Sequence, residues 1–113
     1  MIDKNSITPM YIQIVKYFEL QIYKEIICEN QVLPSIRETS EKLEVSVITS
    51  KKAYEELIKK GIITSIPRRG YIVKKGSQNY IRRIKKKELT NLMNDIESEL
   101  LMYDIKLSEI LNK

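Results

Sequence analysis

The sequence predicts a mainly α-helical fold with one small β-hairpin. Three observations carry that prediction. Ser35 and Glu38 have the spacing of a capping box, so a helix opens there. Gly61 stands where a left-handed C-terminal cap belongs, closing a second helical stretch. Between Ile62 and Val73, two β-prone runs flank Pro67-Arg68-Arg69-Gly70, a turn signal.

The elements follow in chain order. Residues 9–27 read as a helix, with Thr8 as N-cap and Pro9 in the first turn. Its apolar stripe is Tyr11, Ile14, Val15, Phe18, Ile22 and Ile26, while Lys16, Glu19 and Lys24 exclude a membrane span. Residues 28–34 are a connector, since Pro34 disfavours helix before it. A short helix over 35–43 turns its Ile36 and Leu43 inward. Glu44-Val45 makes a tight turn. Ser46 caps a helix over 46–60, with Ala53, Tyr54 and Leu57 facing the core. Residues 62–66 form a strand, 67–70 turn the chain, and 71–73 return it. A helix-turn-helix followed directly by a hairpin is a winged helix-turn-helix.

From Ser77 the pattern is helical again. Ile81, Ile84, Leu89, Leu92, Met93, Ile96, Leu100 and Tyr103 recur three or four apart. Asp104-Ile105 breaks this helix, and a short one follows near 106–112. The domain division is therefore 9–75 for a winged helix-turn-helix domain and 76–113 for a C-terminal helical segment.

Composition narrows the function. The chain has 113 residues and a net charge of +5. Residues 1–87 hold 18 Lys and Arg against 9 Asp and Glu, whereas residues 88–113 hold 2 against 6. A basic body with an acidic tail suggests two jobs in two segments. There is no histidine and only Cys28, so neither a disulfide within the chain nor a metal cluster is expected. No Gly-rich loop or paired-carboxylate motif is present, and no enzyme, catalytic residue or cofactor is expected. The N-terminus MIDKNSITP lacks a signal-peptide pattern, so the expected location is cytoplasmic, without a membrane.

YIQI, LPSIRE, EVSVITSKKAYEELIKKGII and RRGYIV follow the order and spacing of the GntR family's DNA-binding domain. The resemblance covers about residues 9–75. The short helical tail resembles the YtrA subfamily. The resemblance implies a homodimeric repressor of double-stranded DNA, on an inverted-repeat operator, with transporter genes among the candidate targets. An unknown small-molecule effector is left open, as no residue specifies a ligand. The alternative is a winged-helix interaction or RNA-binding module without operator specificity.

In this reading helix 46–60 enters the major groove. Val47 and Ile48 offer apolar contact to thymine methyls, pointing to an A·T-rich half-site. Arg37 matches the arginine of the LPS-x-RE motif, which reaches bases in the family. Lys51 matches a family arginine that contacts DNA, and Lys52 lies beside it as a phosphate contact. Ser35, Ser46 and Thr49 add hydroxyls. Arg68, Arg69 and Gly70 form the wing tip, suited to phosphate and a narrow minor groove. Val47 replaces a family arginine, Glu44 stands where glycine is frequent, and the wing lacks the usual Gly-x-Gly-Thr. The dimer face is Leu89, Leu92, Met93, Ile96, Leu100 and Tyr103.

Overall fold

The computed structural model describes residues 2–112. Five helices and two strands run in the order α1 (Met10–Tyr23), α2 (Ile36–Leu43), α3 (Val47–Lys59), β1 (Ile63–Ile66), β2 (Gly70–Val73), α4 (Ser77–Met102) and α5 (Leu107–Leu111). This is the mainly α winged helix-turn-helix with a C-terminal helix that the sequence predicts. The chain divides into two compact units, one ending at Ile81 and one beginning at Arg82.

In the first unit, α1 packs on α3 and α3 on α2. Ile14, Val15, Phe18 and Ile22 of α1 are buried, as are Ala53, Tyr54 and Leu57 of α3. Two details of α1 differ from the sequence reading. The N-cap is Pro9, with extended backbone and no side-chain bond, rather than Thr8. The carbonyl of Thr8 instead accepts from Gln13 Nε2 at 2.8 Å. The helix also stops at Tyr23 rather than residue 27, because Glu25 turns left-handed at φ +58. The amides of Ile26 and Ile27 then both donate to the Gln21 carbonyl, and Ile26 leaves the core, 63% exposed. No glycine announces this stop; a glutamate carries it against its preference.

The corner between α2 and α3 is built from caps. Ser35 and Glu38 form the capping box, and Ser46 Oγ accepts from the Thr49 amide at 3.0 Å. Accepting hydrogen bonds from the Ser35 backbone, then its side chain, holds the Glu38 carboxyl below its ordinary value. Glu44 closes α2 in the left-handed region at φ +56, where the family motif favours glycine.

β1 and β2 pair antiparallel, Ile63 opposite Val73 and Ile66 opposite Gly70. The connector joins them. Leu33 N donates to Tyr71 O, Val73 N to Gln31 O, and Val32 bridges Ile72. The segment read as a plain connector thus covers one edge of the hairpin.

The start of α4 is tied to this unit. Ser77 and Ile81 are buried, Tyr80 Oη donates to Lys60 O, and Gln78 Nε2 to Tyr23 O. Glu19 is buried on α1 and accepts from Lys60 Nζ at 2.9 Å. Glu19→Ala should therefore cost about 2 kcal/mol, because it strips a charged partner from a half-buried ammonium. Urea unfolding of both chains measures this; an unchanged midpoint would refute it.

In the second unit the rest of α4 is followed by a turn at Asp104, φ +54, and by α5. Leu89, Leu92, Met93 and Ile96 are between 41% and 56% exposed, and Tyr103, just past the helix end, is 68% exposed. Leu100 is half-buried.

Candidate nucleic-acid interface

The first unit brings two cations and an apolar residue together from elements far apart in sequence. Arg37 lies in the first turn of α2, Arg69 at the hairpin tip, and Val47 at the start of α3. All three line one open cleft of about 470 Å³, with Val32, Ile36 and Tyr71 among its walls. The cleft is mostly apolar, and its charged lining residues are Arg37, Arg69 and Glu38, the last already engaged by the Ser35 amide.

Arg37 is exposed, and among the described residues it has no acidic partner. The carboxylate of Glu38, its neighbour, is taken by the Ser35 amide at 2.9 Å. At the wing, Pro67 presets the first corner of the turn, and Arg69 N donates back to Ile66 O at 3.0 Å. Arg68 holds the second corner at φ +69, a left-handed position that glycine would occupy without strain. Gly70 follows at φ +102, so the backbone favours glycine, while Val32 Cγ1, 3.4 Å from where a Cβ would stand, would be an ordinary contact.

On α3, Ile48 is 81% exposed and Val47 49% exposed, so neither packs into the core. Lys51 is exposed. Lys52 holds its ammonium 4.2 Å from the centre of the Tyr11 ring, a cation–π contact. Tyr11, expected in the core stripe of α1, is instead half-buried and anchors this lysine. Ser35 and Ser46 spend their hydroxyls on caps, and Thr49 Oγ1 lies 2.8 Å from Ser46 Oγ.

Beneath the cleft, Tyr54 is fully buried. Burial pushes its phenol up to about 12, with the Thr39 hydrogen bond pulling the other way. In the unfolded chain the phenol ionises near its ordinary value of about 10. Stability from this group is therefore complete below about pH 10 and lost as pH rises toward 12, by up to about 3 kcal/mol. Denaturant midpoints at pH 9 and pH 11 should fall in the native chain by more than in Tyr54→Phe. Equal falls would count against it.

Residues 10–73 match the family model described as bacterial regulatory proteins, gntR family. The chain belongs to the GntR family. It is 34% identical over 77 residues to the HTH-type transcriptional repressor YtrA of Bacillus subtilis, covering 68% of this chain and 59% of that protein. Among solved structures, it resembles a GntR family transcriptional regulator from Listeria monocytogenes, with TM-score 0.72, 28% identity, and 96% and 93% of the two chains covered. YtrA from Sulfolobus acidocaldarius, a GntR-family transcription factor, gives TM-score 0.66 and 32% identity over 88% and 97% of the chains. The matched stretch spans only 15% and 14% of two other Bacillus subtilis regulators, both at least 36% identical. The helix-turn-helix and wing described above are thus the DNA-binding domain of a YtrA-like GntR-family regulator. Among the described residues no helix is long and apolar enough to cross a membrane, and no group of His, Cys, Asp and Glu could hold a metal.

Two features of this interface were beyond the sequence reading. The connector's bridge to β2 brings Val32 to the cleft, a role no local pattern announces. The Lys52–Tyr11 pair joins helices 41 residues apart in the chain, and only packing reveals it.

Proposed function

We propose that this chain is a homodimeric repressor that binds an inverted-repeat operator in double-stranded DNA. Its segment 9–75 reads each half-site and its segment 76–113 pairs the two copies. The observation that carries this reading is the shared cleft, in which Arg37 and Arg69 flank the exposed start of α3. A major-groove helix and a minor-groove wing straddle one backbone strand, and two cations between them suit its charge.

Arg37 is the hydrogen-bonding reader, and Val47 and Ile48 take thymine methyls. Lys51 and Lys52 meet phosphates; Tyr11 narrows the positions Lys52 can reach. Arg68, Arg69 and Gly70 follow the adjacent minor groove, narrowest in A·T tracts. Transporter genes remain candidate targets through the family resemblance, and a small-molecule effector is left open.

Selection from a random duplex library, followed by sequencing, tests the proposal. The expected result is an A·T-rich inverted repeat. An unselected pool would overturn operator specificity, and a preference for duplex RNA would favour a different partner. Arg69→Ala should weaken binding to the selected duplex by ~1–3 kcal/mol and relax preference beside the half-site. Equal weakening on every sequence would instead assign Arg69 to phosphate alone.

A further inference from the structure

One side chain on α3 cannot touch DNA and yet reaches each element proposed to do so. The Tyr54 hydroxyl donates to the Pro34 carbonyl at 2.5 Å and lies 2.8 Å from Thr39 Oγ1. A phenol has one proton to give. With that proton on the Pro34 carbonyl, the Thr39 hydroxyl donates to the phenol oxygen. Pro34 directly precedes the N-cap of α2, and Thr39 lies in its second turn. Arg37 sits between these two anchors. The Tyr54 ring meets the wing as well, edge-on to Tyr71 with centroids 4.8 Å apart. Tyr71 follows Gly70 and lines the same cleft as Arg37 and Arg69. On its other side the ring meets Phe18 of α1 at 5.5 Å.

We infer that Tyr54 is a positioning residue for operator reading, its hydroxyl setting Arg37 against α3 and its ring setting the wing. The inference rests on Arg37 being a base reader. The physical reason is geometric. Base-edge hydrogen bonds weaken steeply as distance and angle drift, so a reader on a short helix needs its backbone held. A wholly apolar contact at Tyr54 would pack, but it would leave α2 free to slide along α3. Two directed hydrogen bonds specify one arrangement.

The test is a double-mutant cycle with the full chain. Affinity is measured for native, Tyr54→Phe, Arg37→Ala and the double variant, on the duplex recovered by selection and on a scrambled duplex. Tyr54→Phe should lower affinity for the selected duplex about tenfold, the scale of one misplaced base contact. On the scrambled duplex its effect should stay within about twofold, since phosphate contacts tolerate small shifts. In the Arg37→Ala background the loss from Tyr54→Phe should shrink to below about twofold. A full tenfold loss persisting in that background would overturn the inference and leave the role of Arg37 intact. An Arg37→Ala chain that binds the selected duplex normally would overturn both. If Tyr54→Phe does not fold, Thr39→Val removes the partner hydroxyl and takes its place in the cycle, with the same fold-changes expected and the same results overturning the inference.

Discussion

Ile96→Arg is expected to leave a folded monomer that has lost most of its operator affinity. Ile96 is 41% exposed in the single chain, so a guanidinium there meets water and the fold tolerates it. In the proposed dimer the same position lies on the apolar face with Leu89, Leu92 and Met93, where an unpaired charge would be buried twice, once per copy. The consequence for DNA follows from linkage. Two half-sites held by one dimer exceed the affinity of a single half-site by roughly 10²–10⁴, with no new contact to DNA. That gain vanishes when the copies separate. Sedimentation should show a shift from dimer to monomer at micromolar concentration, and titration should show affinity falling on the inverted repeat but not on an isolated half-site. A dimer that survives Ile96→Arg would remove this face from the interface. A native chain that sediments as a monomer would remove the dimer altogether.

Phe18→Ala should destabilise the first unit by about 3–5 kcal/mol, the usual cost of emptying a buried aromatic site. Phe18 is 2% exposed and packs edge-on against Tyr17 and Tyr54, with centroids 5.2 and 5.5 Å away. It is one of the contacts through which α1 supports α3. Rigid neighbours on both sides limit how far the cavity can collapse, which favours the upper part of that range. Small domains hold about 5–15 kcal/mol in all, so DNA binding should fail well below the native melting temperature. Denaturant unfolding with an unchanged slope and a lower midpoint is the expected result. A loss below about 1 kcal/mol would mean that the site refills.

Local rules read the caps of α2 and α3 and the hairpin well, though not the N-cap of α1. Ser35, Ser46 and Gly61 each have a stereochemical reason to sit at a helix end, and those reasons act within four residues. The β-branched runs around Pro67–Gly70 likewise announce a hairpin without help from the rest of the chain. The same logic missed the end of α1, because Glu25 takes a left-handed turn that no residue preference advertises. It placed Tyr11 in the core, because a stripe at helical spacing cannot tell a buried position from a rim position beside Lys52.

By itself, then, the sequence determined the helix-turn-helix with its wing, the family motif, and the split between a basic body and an acidic tail. These are properties of short segments and of summed charge. Tertiary structure alone decided that Arg37 and Arg69, 32 residues apart, border one cleft, that Val32 closes the hairpin's edge, and that Tyr54 ties α2, α3 and the wing together. Such pairings depend on how helices dock. Docking is settled by the fit of whole faces, information that no local spacing contains.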